Sequence, residues 1–224
     1  MMPIALDFAA VLQEWPILLK GMTWTLGLTT VSALLGLILG IAAAWMRTEG
    51  VGWGRILVAT YVELIRNTPF IVQLFFIFFG LPALGVKLSS ECASVIAMVI
   101  NLGAYSAEIV RAGIQATPRG QVEAALSLAM THIQIFTRVV LPPALKRVWP
   151  ALVSQIIIVM LGSAVCGQIA TEELSFAANL IQSRNFRAFE AFIVATGLYL
   201  VLSVTVRDVL NRVGRRYLFG GHLG

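Results

Sequence analysis

Residues 21–46 run for twenty-six positions without one charged side chain, and that stretch decides which folds are open to the chain. A bilayer-crossing helix needs about 20 apolar residues, because lipid offers no water to satisfy backbone N–H and C=O groups. Four more stretches read the same way: residues 67–86, 92–107 between Glu91 and Glu108, 148–171, and 191–206 between Glu190 and Arg207. The helix that carries residues 67–86 is expected to begin earlier, near Ile56. Composition agrees, with 58% hydrophobic and 12% charged residues, against about 45–50% and 25% in ordinary globular chains. A mean hydropathy of +0.88 leaves too little polar surface to cover a water-soluble globule. A soluble enzyme, a disordered tail and a secreted disulfide scaffold are excluded. The sequence predicts an all-α membrane protein with about five transmembrane helices.

Basic residues then orient the spans. Of the sixteen Lys and Arg, twelve follow the first, third and fifth spans: Arg47, Arg55 and Arg66; Arg111, Arg119, Arg138, Lys146 and Arg147; Arg207, Arg212, Arg215 and Arg216. Lys20, Lys87, Arg184 and Arg187 fall on the other side. The positive-inside rule predicts an outside N-terminus and a cytoplasmic C-terminus. The net charge of +5 is read as this orientation signal, not as a nucleic-acid footprint. Residues 1–20 lack the basic start of a cleavable signal, and Asp7 to Trp15 reads as an interfacial lead-in anchored by Trp15. Cys92 and Cys166 have no metal-ligand spacing, and free thiols are expected over a disulfide. His132 and His222 have no catalytic or metal partner in sequence. No catalytic set and no metal site is predicted.

The segment 117–143 is longer than a connection needs, and it is patterned. Thr117-Pro118 reads as an N-cap with proline at the first helical position. Val122, Leu126, Ala129, Ile133 and Phe136 recur as an apolar stripe. Thr131 to Gln134 fits a capping box opening a second short helix, which Leu141-Pro142-Pro143 is expected to end. Arg119, Gln121 and Arg138 fall on the wet face. On patterning alone, a connector lying on the membrane surface accounts for this equally well.

The residues carry more. Gly120-Gln121-Val122-Glu123-Ala124-Ala125 followed by Leu141-Pro142 resembles the EAA loop of permease subunits of ATP-binding-cassette importers. Leu19-Lys20-Gly21-Met22-Thr23-Trp24-Thr25, then Tyr61 to Pro69 with Gln73, then Gly103 to Ile114, resemble the polar amino-acid branch: the histidine, glutamate, glutamine, arginine and opine group. The resemblance implies a type I importer permease fold, divided into a lead-in (1–18), a permease domain (19–212, EAA loop about 117–143) and a cytoplasmic tail (213–224). It implies a coupling helix in which Gly120, Glu123, Ala124, Ala125 and Ala129 meet a cytoplasmic ATPase dimer; small residues permit close approach and Glu123 gives register. Further implied partners are a second permease, an extracytoplasmic amino-acid-binding protein and the lipid bilayer of a bacterial inner membrane, with no nucleic acid. The chain has no Gly-x-x-x-x-Gly-Lys-Ser/Thr loop. It is therefore expected to be no enzyme and to bind no cofactor, ATP and Mg residing on the ATPase. A permease for an opine or another amino-acid derivative stays open. So does an ion-coupled secondary transporter, although that class shows paired repeats and intramembrane ionisable residues.

Two departures stand out. Relatives usually place glycine where Ala129 stands, a change expected to keep the turn if the backbone stays helical there. Leu161-Gly162 stands where relatives often carry a Lys-Asp or Lys-Ser pair, which favours a heterodimer with a permease that keeps its charges. The candidate pathway or gate residues are Glu63, Arg66, Thr68, Pro69, Gln73, Asn101, Tyr105, Gln155, Gly162 and Ser163. Glu63 and Arg66, three apart, are expected to pair, either at the cytoplasmic interface or as a gate. Pro69 is expected to kink its helix. For Asn101, Tyr105, Gln155 and Gln168 the choice is between interhelical hydrogen bonds, about 0.6 kcal/mol each, and substrate contact. Gly162 would let backbone approach closely, and Gly36 and Gly40 form a helix-packing face.

Overall fold

The computed structural model describes residues 6–217; positions 1–5 of the lead-in and 218–224 of the tail, His222 among them, lie outside the described residues. Every regular element among the described residues is helical. After one turn at Ala9–Leu12, helix α1 spans Trp15–Glu49, α2 Trp53–Arg66, α3 Phe70–Ala83 and α4 Ser90–Gln115. The loop helix α5 covers Arg119–Ser127, α6 runs over His132–Ile169, α7 is Leu174–Asn185 and α8 is Ala188–Tyr217. Helices α1, α4, α6 and α8 are each long and apolar enough to cross a bilayer, and α2 with α3 makes a fifth span if the pair counts as one. Trp15, 59% exposed, is the first residue of α1.

The second span differs from its expectation. Residues 67–86 do not form a spanning helix: α3 holds fourteen residues, about 21 Å of rise against about 30 Å of hydrocarbon. The helix stops at Arg66 and restarts at Phe70, so Pro69 breaks the span instead of kinking it. The free carbonyls at the break are satisfied locally. The Asn67 amide and backbone N–H donate to Glu63 O (2.8 and 3.1 Å), and Thr68 Oγ1 donates to Leu64 O (2.8 Å). The third and fifth spans run past their uncharged cores, to Gln115 and Tyr217.

Leu141-Pro142-Pro143 does not end a helix; it lies in the first turn of the α-helical part of α6, Leu141–Gly162. Directly before it the chain forms a π-helical stretch, Ile135–Val140, and a second π stretch, Phe76–Gly80, directly precedes Leu81-Pro82. A proline ring clashes with the carbonyl four residues back and donates nothing to it. A wider turn just before the proline lets the helix run on.

Contacts within the chain form two compact units. One holds the described residues up to Ser32 with Phe70–Met98 and Ile157–Val206; the other holds Ala33–Pro69, Val99–Ile156 and the described residues from Arg207 on. In the first, Val11, Leu18, Leu174, Ile181, Ala191 and Leu202 share one apolar core. In the second, small residues set the helix spacing. A Cβ on Gly36 would meet Leu102 at 2.9 Å and one on Gly40 would meet Ser106 Cβ at 2.5 Å. The packing role expected of this glycine pair is borne out. Ala43, Ala104 and Ala107 continue the close approach against Val62.

The loop after α4 departs from its sequence reading in three ways. Pro118, extended at ψ 132°, is itself the N-cap of α5, and Thr117 Oγ1 is buried without a hydrogen-bond partner. The buried stripe is Ala125, Ile135 and Val140 with Val122 and Met130, whereas Leu126 and Ile133 are exposed. Ala129 is not helical: its φ is +55°. Met130 N–H donates to Ala125 O (3.2 Å) and Ala129 N–H to Leu126 O (2.9 Å), the 6→1 and 5→2 pattern of a Schellman turn. The left-handed position of that turn favours glycine, because an L side chain there costs about 1 kcal/mol. The expected capping box at Thr131 is present, with Thr131 N–H donating to Gln134 Oε1 (2.9 Å) and Gln134 N–H to Thr131 Oγ1 (3.4 Å). Ala129→Gly is therefore predicted to stabilise the loop by about 1 kcal/mol, seen as about fivefold slower hydrogen exchange in α5. Unchanged or faster exchange contradicts this reading of the turn.

Candidate functional site

One carboxylate organises the charged end of the second unit. Glu108, on α4, accepts from Arg47 on α1, lies 2.7 Å from Arg111 Nη2 one turn along its own helix, and stands 3.8 Å from Arg66 Nη1 on α2. Side-chain exposures of 16%, 28% and 38% for Arg47, Arg111 and Arg66, and 18% for Glu108, place the group half inside. The Arg66 guanidinium also lies 5.6 Å from the Tyr105 ring centroid, and Tyr105 OH donates to Arg66 O at 3.5 Å. Arg66 thus turns to Glu108 and Tyr105 rather than to Glu63, which accepts from Asn67 Nδ2 at 3.2 Å. The expected Glu63–Arg66 pair is replaced because the carboxylate of α4 is the better-buried acceptor.

The Gly103–Ile114 motif now has a physical account. Gly103 leaves room for the Tyr61 hydroxyl, which donates to Ile100 O at 2.7 Å. Gly113 allows α4 to lie on Ala144, where a Cβ would sit 2.9 Å from the carbonyl oxygen. Ile114 packs with Ala44, Val110 and Leu152 on one side and with the loop core of Ala125 and Ile135 on the other. Arg147 Nη1 donates to Ala116 O (2.7 Å), pinning the end of α4 where the loop begins.

In the first unit, Glu173 is fully buried at the N-terminus of α7. It accepts from the backbone N–H of Ser175 (2.9 Å) and Phe176 (2.8 Å), and from the hydroxyls of Ser175 (2.6 Å) and Tyr199. Thr25 Oγ1 accepts from Leu174 N–H at 3.2 Å, Lys20 pairs with Glu172, and a Cβ on Gly21 would meet Leu174 Cα at 2.9 Å. The Lys20–Thr25 motif is thus the surface that seats Glu172-Glu173-Leu174.

The remaining candidates divide between the units. Glu63, Arg66, Thr68, Pro69, Asn101, Tyr105 and Gln155 belong to the second; Gln73, Gly162 and Ser163 belong to the first. Gln73, Asn101 and Gln155 are buried. Ser163 Oγ donates to Met160 O (2.6 Å) in its own helix, and a Cβ on Gly162 would have nothing within 4 Å, so no neighbouring described residue packs on that backbone. On the loop, Gly120, Glu123, Ala124 and Ala129 are exposed, but Ala125 is 4% exposed and packs inward. It cannot face a partner. Both cysteines are free, as expected. Sequence reading missed Glu108 and Glu173: the Glu108/Arg111 spacing was visible, whereas Arg47 and Tyr199 reach their acceptors only through the fold.

Apolar helices long enough to span, a span broken at proline and an exposed helix in the longest loop fit a helical integral-membrane protein. Residues 36–217 match the family described as binding-protein-dependent transport system inner membrane component, and the chain belongs to that family. It is 36% identical to the L-cystine transport system permease protein of Bacillus subtilis, over 90% of this chain and 87% of that one. It is 34% identical to the glutamine transport system permease protein of Escherichia coli, over 94% and 97%. A crystal structure of an amino acid ABC transporter with histidines superposes with a TM-score of 0.85, at 36% identity, covering 95% of this chain and all of that one.

Removing the shared carboxylate leaves three half-buried guanidiniums without their acceptor. Glu108→Gln is predicted to cost about 2–4 kcal/mol, and Arg66→Gln, at the long and more exposed contact, under about 1 kcal/mol. Thermal unfolding in detergent checks the order; equal losses contradict it.

Proposed function

We propose that the chain is the permease subunit of an ATP-driven, binding-protein-dependent importer of a polar amino acid. The observation that carries this is α5: a nine-residue helix, closed at its C-terminal end by a Schellman turn, presenting Gly120, Glu123 and Ala124 to solvent in a chain of this family. Relatives named for glutamine and cystine, and a solved relative named as an amino acid ABC transporter, support the substrate class.

In this reading the permease domain covers 19–212, with the lead-in before it and the tail after it. The N-terminus is outside and the C-terminus cytoplasmic, as the twelve-to-four division of basic residues favours. A cytoplasmic ATPase dimer, which holds ATP and Mg, docks on α5; an extracytoplasmic binding protein delivers the amino acid. Closure of the ATPases pushes α5. The Ala125–Ile135–Val140 core, Ile114 and the Arg147–Ala116 hydrogen bond pass that push to α4 and α6. Glu108 then moves with the ends of α1 and α2 in the same unit, and Asn101, Tyr105 and Gln155 of that unit line the pathway. Leu161-Gly162 puts no fixed charge in this half, so the second permease is a different chain that supplies one. Subunit composition of the purified complex decides that point: two identical copies carrying a charged amino acid contradict it.

Ala124→Trp fills the exposed docking face without touching the loop core. It is predicted to abolish ATPase co-purification and substrate-stimulated hydrolysis while the chain still inserts and unfolds at its normal temperature. Normal transport by this variant contradicts the docking assignment. Ala125→Trp, by contrast, lowers the unfolding temperature through overpacking.

A further inference from the structure

The cytoplasmic end of α8 carries Arg207, Arg212, Arg215 and Arg216, all exposed, with Asp208 the one acidic residue in that stretch. Placing basic residues on the inner side would explain their number. It does not explain their arrangement. Along the helix, Ile193, Leu200, Val201 and Val204 form an exposed apolar stripe, from 43% to 64% accessible. Steps of three and four residues continue that stripe through Asp208 to Arg212 and Arg215. That exposed apolar face therefore passes into guanidiniums within about 12 Å of rise from Val204 to Arg212, a distance that matches the step from hydrocarbon to headgroup in a bilayer. Tyr217, 73% exposed with Arg216 lying 5.7 Å from its ring centroid, adds an interfacial aromatic.

The helix end is also held still. Trp149 Nε1 donates to Leu210 O (3.2 Å), and the indole lies so close over Gly214 that a Cβ there would stand 2.2 Å from Nε1. All four cations are arginine, whose planar donor fork matches phosphate oxygens in pairs. Arg212 shares its charge with Asp208 at 2.5 Å, and its side chain is still 71% exposed.

We propose that this end of α8 is a binding site for the phosphate headgroups of acidic phospholipids in the inner leaflet, with Arg212 and Arg215 as the principal ligands. The proposal rests on the cytoplasmic placement of the C-terminus given above. Juxtamembrane clusters of four or more basic residues attract anionic lipid, and each adds about fivefold in affinity. An acidic surface of the ATPase is the competing occupant. Lipid is favoured because the two arginines continue the lipid-facing stripe rather than the face that packs on Trp149.

The test is binding of spin-labelled phosphatidylglycerol to the purified complex in phosphatidylcholine vesicles. Arg212→Gln/Arg215→Gln is expected to lower affinity about thirtyfold, and Arg212→Lys/Arg215→Lys only a few-fold, with the unfolding temperature and ATPase co-purification unchanged. Unaltered lipid affinity in the glutamine variant overturns the site. Loss of the ATPase without loss of lipid overturns it in favour of a protein partner. Spin-label binding needs neither ATP nor substrate, so a wild-type complex that fails to take up amino acid bears on the importer reading alone.

Discussion

Lipid gives a peptide group nothing to hydrogen-bond, and each departure from straight helix in this chain is built around that constraint. At the break before Phe70, Asn67 and Thr68 return side-chain donors to the carbonyls of Glu63 and Leu64, and Thr68 Oγ1 stands 3.5 Å from Ile65 O, the carbonyl to which Pro69 can donate nothing. At Leu81-Pro82 and Leu141-Pro142-Pro143 the preceding turn widens instead, and the helix continues. At the start of α7, the Glu173 carboxylate caps the backbone N–H groups of Ser175 and Phe176. These four sites use three ways of keeping the backbone satisfied: side-chain donors, a widened turn and a carboxylate cap.

Charge obeys the same economy. Glu108 serves Arg47, Arg66 and Arg111, drawn from three helices. One carboxylate for three guanidiniums leaves the cluster basic overall and leaves Arg66 the loosest member. The long, more exposed Arg66 contact is the cheapest of the three to break.

The spans were legible because exclusion of charge from hydrocarbon is written directly into the residue string. Their ends were not, because Glu108 and Arg111 are tolerable inside α4 only once Arg47 and Arg66 arrive from elsewhere. The capping box at Thr131 is local chemistry and was read correctly. Ala129 was misread because a left-handed residue is set by the two hydrogen bonds of the closing turn, and alanine does not advertise it. The usual glycine of the family at that position carried the signal. Ala125 looked like a docking residue by its size, yet the fold uses that smallness to seat α5 on Ile135 and Val140. Glu173 lay outside every patterned segment, and nothing near it in sequence announces Tyr199 or Thr25.

The central claim is that this family member imports an amino acid at the expense of ATP bound to another subunit. Uptake of labelled glutamine, cystine and arginine into proteoliposomes tests it most directly, with the chain reconstituted beside its ATPase, companion permease and binding protein. The account predicts accumulation of at least one polar amino acid that requires ATP on the cytoplasmic side and the binding protein on the other, and that survives collapse of ion gradients. Accumulation driven by an ion gradient without ATP, or without the binding protein, would contradict it.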